Sequence, residues 1–184
     1  MPVYKVDINY VVQTDDVDKM LAKTQYTMHR ALVAAFYLTG GRPSEVLGIR
    51  TSDINIADDS VVINIETKKL GKTTGFIIRS RLLEFSKDAP YMNVLLEQRD
   101  KLLKMSGNEG TRLFPICRRT CSQTIEKLSE GRFCPYNFRH SRLTKLANEE
   151  CTLGELMSWK GARDTRSVSP YLAGKKIGRR LNIT

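Results

Sequence analysis

Arg42 stands in the stretch TGGRPSEVLGIRTSDI, between a glycine pair and a proline, and Arg139 stands in YNFRHSRLTKLA. Gly40-Gly41 is suited to end a helix, because glycine takes positive φ without a steric penalty. Pro43 is suited to begin another, because its missing N–H is one that no intrahelical acceptor would meet. Arg42 is thereby pinned to a helix N-terminus. With Asn137 as N-cap, Arg139 falls in the first turn of its own helix. The positive end of the macrodipole is a poor place for a cation. Two breaches of one local rule point to a functional site. Free N–H groups and guanidinium forks together make a phosphate site. The ordinary alternative is that each arginine simply faces solvent.

The whole chain agrees with an anionic ligand. It has 184 residues, a net charge of +10 and a pI of about 9.6. A domain this basic meets a polyanion, with nucleic acid first among them. Its 41% hydrophobic and 27% charged residues describe a globular chain with one core. Cys117 and Cys121 have three residues between them, but no second cysteine or histidine pair completes a zinc set, and His29 and His140 are the only histidines. No metal site and no cofactor is therefore expected, and the four cysteines, with Cys134 and Cys151, read as free thiols. There is no apolar run long enough to span a bilayer and no signal-peptide core at the N-terminus, so an intracellular, cytoplasmic location is expected.

These side chains must be positioned by elements that the pattern makes legible. Residues 1–13 read as an extended lead. Apolar residues at helical spacing run from Val17 through Met20, Leu21, Met28, Leu32 and Phe36, with Thr14, Asp15 or Asp16 as N-cap. Pro43 starts a second helix through Val46, Leu47 and Ile49. Val61, Val62, Ile63 and Ile65 form a strand, Phe76, Ile77 and Ile78 another, with residues 68–75 as the turn and residues 53–56 as a third short strand. Pro90 opens a helix carrying Leu95, Leu96, Leu102 and Leu103. Thr120 and Gln123 form a capping box for the next, which Gly131 closes. Another helix follows Pro135, and Thr152 and Glu155 cap one that carries Leu156, Met157 and Trp159. The expected fold class is α+β, mainly helical with a small antiparallel sheet, as a single domain over residues 1–184 ending in a basic tail at 172–184.

In this order the motifs resemble the tyrosine recombinases, the phage-integrase family. Thr39, Gly40, Arg42, Ser44, Glu45, Ile49, Asp53 and Ile54 match the family's first box, T-G-x-R-x-S-E-x-x-x-[LI]-x-x-x-D-I. YNFRHSRLTKLA is similar to the second box, with Arg139 and His140 matching and Tyr136 in place of its first histidine. LMSWKGARDTRSVSPYLAG is similar to the closing segment, with Trp159 at the His/Trp position and Tyr171 at the nucleophile position. The hairpin ETKKLGKTTGFII falls where the family carries a catalytic lysine. The closing segment looks closest to archaeal members, which suggests an integrase of a mobile element or virus of archaea. No counterpart of the family's N-terminal core-binding domain is expected within these residues.

The resemblance implies a site-specific recombinase that cleaves and rejoins double-stranded DNA at an attachment site through a 3′-phosphotyrosyl intermediate. Tyr171 would be the nucleophile and Arg42 and Arg139 the phosphate clamp. Lys68 or Lys69 would be the general acid; strand alternation lets only one of them face the site. Trp159 would donate its indole N–H to the phosphate. Tyr136 would occupy a catalytic slot as a phenol, a poor base at neutral pH. Glu45 and His140 are expected behind the reacting groups, and Lys72, Arg118, Arg119 and Arg142 on the DNA backbone. The family works as a tetramer on two synapsed duplexes, so the chain is expected to be a monomer when free. A type IB topoisomerase-like enzyme and a non-catalytic DNA-binding remnant are the competing readings.

Overall fold

The apolar spacing between Val17 and Phe36 is carried by two helices, where the sequence suggested one: α1 (Thr14–Ala22) and α2 (Thr27–Thr39). The break falls at Thr24, a buried residue whose hydroxyl accepts the Tyr26 N–H at 3.2 Å. Such a local side-chain bond competes with the helical ladder. Arg30 reaches back across the break and donates to the Leu21 carbonyl at 2.9 Å, satisfying the open end of α1. The cap of α1 is Gln13, not residues 14–16; Asp16 instead accepts the Gln13 N–H at 3.0 Å.

This computed structural model describes residues 10–66, 80–149, 151–162 and 164–172. Helix α2 is apolar on nearly every side, and a helix of that kind must be covered all round. It packs against α1, α4 (Met92–Ser106) and α6 (Pro135–Asn148). After α2 the chain turns at Gly40 into the single-turn helix α3 (Pro43–Val46), then through a 3₁₀ turn at Thr51–Asp53 into the sheet. Strands β1 (Ile54–Ile56), β2 (Ser60–Glu66) and β3 (Ser80–Ser86) form an antiparallel sheet in that order. Its inward face carries Ile54, Val61, Ile63 and Ile65, and on β3 Arg81, Leu83 and Phe85, with Ile65 opposite Arg81 and Val61 opposite Phe85.

Strand β3 was not anticipated, and the strand expected at 76–78 lies outside the described residues, as do the turn at 68–75, residues 1–9 of the lead and 173–184 of the tail. The helix expected after Pro90 begins at Met92, with Tyr91 in the left-handed region at φ 66° as its N-cap. Helix α5 (Arg118–Leu128) starts ahead of the supposed Thr120–Gln123 box, with Cys117 as N-cap and Thr120 inside the first turn. Gly131 does close that end: its N–H returns to the Glu126 carbonyl at 2.8 Å. In α6 Pro135 is the first helical residue and Cys134 the N-cap. Asn137, expected as the cap, sits three residues in and accepts the Cys134 N–H at 2.9 Å.

Helix α7 (Leu153–Lys160) has the reciprocal cap that its sequence announces: Thr152 Oγ1 accepts from Glu155 N–H at 3.2 Å, and Glu155 accepts from Thr152 N–H at 2.7 Å. A 3₁₀ turn at Thr165–Ser167 leads to α8 (Ser169–Leu172), so Ser169 is helical although a proline follows it. The main core lies between α2, the sheet, α4 and α5. A second, smaller apolar cluster joins Leu143, Leu146, Ala147, Leu156 and Val168 and holds Tyr171 at its edge; Trp159 touches both. Among the described residues no helix is long and apolar enough to cross a membrane.

Gly40 is the joint between α2 and α3. Its φ is +56°, and a Cβ there would lie 2.8 Å from Arg142 Cβ. Gly107 ends α4 at φ +61° with no atom near its missing Cβ. Gly40→Ala should therefore lose about 2–3 kcal/mol of stability, combining backbone strain and a clash. Gly107→Ala should lose only about 1 kcal/mol, the backbone part alone. Urea titrations of both variants check this; equal losses would remove the clash from the account.

Candidate active site

The puzzle of Arg42 is resolved by Glu45. Arg42 is the N-cap of α3, and Glu45 is the third residue of the same turn. The Glu45 carboxylate accepts the Arg42 backbone N–H at 2.7 Å through one oxygen and its guanidinium at 2.7 Å through the other. The same anion caps the helix and neutralises the cation that the dipole disfavours.

Glu45 is only 2% exposed, yet it meets two further guanidiniums. Arg81, on the inward face of β3, brings both terminal nitrogens to it, at 3.0 and 3.3 Å. Arg139 Nη1 lies 3.8 Å away. Burial would raise the Glu45 pKa, but the hydrogen bond and charge of Arg81, then those of Arg42, outweigh it and hold the carboxyl below its ordinary value. Three cations around one anion leave a local surplus of positive charge.

Arg139 lies in the second turn of α6, not the first, because that helix starts earlier than the sequence suggested. Its guanidinium donates to the Gly40 carbonyl at 2.9 Å and to the Lys160 carbonyl at 2.7 Å. Those carbonyls belong to the C-terminal ends of α2 and α7, where the dipole favours a cation. Burial, then the charge of Arg42, lowers the Arg139 pKa to about 10, which leaves it protonated at neutral pH. A guanidinium has five N–H donors, and these two bonds leave donors over for a ligand.

Trp159 joins the same carbonyl cluster. Its indole N–H donates to the Thr39 carbonyl at 3.0 Å, so the bond expected to reach a phosphate is made inside the protein. Its ring meets Phe85 edge-on at 5.5 Å, and the Arg142 guanidinium lies 4.7 Å above it. Arg142, expected on the DNA backbone, is thus partly buried against two aromatic rings, and burial lowers its pKa.

Tyr171 is set apart from the arginines by its own partners. Its hydroxyl lies 2.8 Å from His140 Nδ1, with the rings tilted 5.7 Å apart. Lys160 Nζ sits 4.9 Å over the tyrosine ring and bonds the Ser167 carbonyl. Burial raises the Tyr171 pKa against the opposing charge of Arg139. Burial, then Lys160 and Arg139, lowers that of His140. Burial, then Arg139 and Arg42, lowers that of Lys160, so this lysine shares the field of the arginine cluster.

The fold thus gathers Arg42, Glu45, Arg139, His140, Trp159 and Tyr171 at the junction of α2, α3, α6, α7 and α8. Tyr136 is 43% exposed at the second position of α6. Arg118 and Arg119 are exposed at the start of α5. Lys68, Lys69 and Lys72 lie outside the described residues. Sequence reasoning missed Arg81 and Lys160. Arg81 takes the first inward position of β3, where a charged residue hides the strand's apolar alternation. A lysine at a helix C-terminus is ordinary and gave no signal for Lys160.

The phage integrase family model matches residues 10–176. The structure is similar to that of the XerH site-specific recombinase bound to palindromic difH substrate, with a TM-score of 0.71 at 16% identity over 92% of this chain and 51% of that one. It is similar to XerA recombinase, with a TM-score of 0.66 at 16% identity over 89% and 58% of the two chains. It is also similar to a lambda integrase dimer bound to a COC′ core site, with a TM-score of 0.57 at 17% identity over 95% and 62%. The chain spans about half the length of the XerH recombinase chains it matches. No curated protein matches it in sequence.

Removing the Glu45 charge leaves three guanidiniums facing one another. Glu45→Gln should destabilise the fold by about 3–5 kcal/mol at neutral pH, as when one partner of a buried pair is lost. A carboxyl whose folded pKa is depressed contributes stability above its unfolded pKa and loses it as pH falls through the folded one. The stabilities of wild type and variant, measured by denaturant titration, should therefore converge below the ordinary carboxylate range. A constant gap down to acid pH would contradict the ion-pair origin.

Proposed function

This chain belongs to the phage integrase family, and we propose that it cleaves and rejoins double-stranded DNA through a 3′-phosphotyrosyl intermediate, as the integrase of a mobile element. The observation that carries this reading is the meeting of Arg42 and Arg139 at one buried carboxylate, with surplus positive charge and with Tyr171 on the adjoining helix.

In this mechanism the Tyr171 oxygen attacks the scissile phosphorus, and the bond to the 5′-oxygen breaks. Charge grows on the non-bridging oxygens as the phosphorus becomes five-coordinate. Arg42 and the remaining donors of Arg139 hold those oxygens, a geometry that a planar guanidinium meets and an ammonium does not. Their positions are fixed beforehand by Glu45 and by the helix carbonyls, so little reorganisation accompanies the reaction. The leaving 5′-oxygen takes a proton from Lys68 or Lys69. One phosphodiester replaces another, so the step is reversible and needs no ATP. The reverse attack by a 5′-hydroxyl rejoins the strand.

Basic residues such as Arg118 and Arg119 would contact phosphates, which position the duplex but do not specify its sequence. One lambda integrase relative forms a tetramer on a Holliday junction; we take the working form here to be a tetramer on synapsed DNA, acting inside the cell.

The test is a library of nicked suicide duplexes with randomised core sequence, with adducts read on a denaturing gel and sequenced. Wild type should form a covalent protein–DNA adduct, and Tyr171→Phe should form none while still binding DNA. Arg139→Lys should slow adduct formation by roughly 10²–10³-fold, the usual loss for one preorganised donor. A wild-type protein that binds the library but never becomes attached to it would sink the enzymatic reading.

A further inference from the structure

Tyr171 needs a group to take its proton, and the helix that carries Arg139 offers two candidates. Tyr136 and His140 stand four residues apart on α6, which places them one turn apart on the same face. Tyr136 is exposed, and a neutral phenol oxygen is a poor proton acceptor. His140 is half-buried, and its Nδ1 already lies at 2.8 Å from the Tyr171 oxygen. A base must first be within hydrogen-bond reach of the proton it removes, and this one is.

We propose that His140 is the catalytic base of this chain, accepting the Tyr171 phenolic proton at Nδ1 as the oxygen attacks phosphorus. The proposal rests on the phosphotyrosyl reading above. The imidazole carries its own proton on Nε2, so that Nδ1 is the acceptor. As the oxygen–phosphorus bond forms, the phenolic proton passes to Nδ1 and the ring becomes imidazolium; the 5′-oxygen leaves with its proton supplied elsewhere. On rejoining, the imidazolium returns the proton to the departing tyrosine oxygen, and the atoms balance over the cycle.

The surroundings suit that role. The groups facing His140 are Tyr171 from α8, Lys160 from α7 and Arg139 beside it on α6. Both charged neighbours are cations. Together with burial they keep the ring neutral, which is the form that can accept a proton, at neutral pH. They also make the imidazolium a ready donor, which favours the return step. The α7–α8 segment that brings Tyr171 to the ring is anchored by Val168, fully buried in the smaller apolar cluster.

The test compares wild type with His140→Asn, whose side-chain oxygen can still accept a hydrogen bond but cannot take the proton. Adduct formation on the suicide duplexes is followed from acid to alkaline pH, with DNA binding and thermal melting measured alongside. Wild-type cleavage should rise through a single ionisation below the ordinary histidine value near 6.5 and then level off. His140→Asn should bind DNA as wild type does, cleave about 10²-fold or more slowly, and lose that limb of the profile. Placing a fluorinated, more acidic tyrosine at 171 should recover much of the loss in the variant and little in wild type.

A variant that cleaves at the wild-type rate across pH would overturn the assignment and leave the recombinase reading standing. So would a loss of activity that follows a loss of binding or melting temperature and is not recovered by the acidic tyrosine. Wild-type protein that forms no adduct at any pH would bring down both.

Discussion

One buried carboxylate organises this end of the molecule. Glu45 receives Arg42 from its own turn, Arg81 from the sheet and Arg139 from α6, so three elements far apart in sequence are tied at one point. The anion cannot be removed cheaply, because Arg81 and Arg139 are buried beside it, and Arg139 is also held by two helix carbonyls, so these cations cannot retreat to water. Nor can it neutralise them all. The fold therefore holds a set of guanidiniums whose orientation is fixed and whose charge is only partly compensated, which is what preorganisation for an anion requires.

Helix ends supply the rest of the frame. The carbonyls of Thr39 and Gly40 close α2, and that of Lys160 closes α7. Trp159 and Arg139 donate to them and so satisfy groups that an isolated helix would leave open. The two apolar clusters meet at the same place, because the Trp159 ring contacts both. Packing, dipoles and charge thus constrain the same few residues. That explains how a segment as short as α8 can present a tyrosine at a defined distance from a histidine on another helix.

Some of this was legible in the sequence and some was not, for identifiable reasons. The Gly40-Gly41-Arg42-Pro43 joint could be read because glycine and proline act on their own backbone. The Thr152–Glu155 cap was legible for the same reason. Strand β3 was missed because its inward face begins with an arginine, and a charged residue on the core side breaks the alternation by which strands are recognised. The partner of the Trp159 N–H could not be read, since it depends on where α7 meets the end of α2. The single long helix suggested for residues 17–36 failed at Thr24, where one hydroxyl outcompetes the ladder. His140 and Tyr171 could each be singled out, but their contact depends on α8 folding back on α6, and no local pattern records that.

The partly compensated cluster also ties ligand binding to folding. In the free protein the guanidiniums repel one another and that repulsion is charged against the native state. A bound phosphodiester would relieve it, so under the proposed function DNA would stabilise this chain as well as react with it, and its affinity would reappear as resistance to unfolding. Counterions do the same in its absence, less specifically and in proportion to their concentration. The measured stability of the protein is then a property of the protein and its anions together, and buffer composition enters it as a thermodynamic variable.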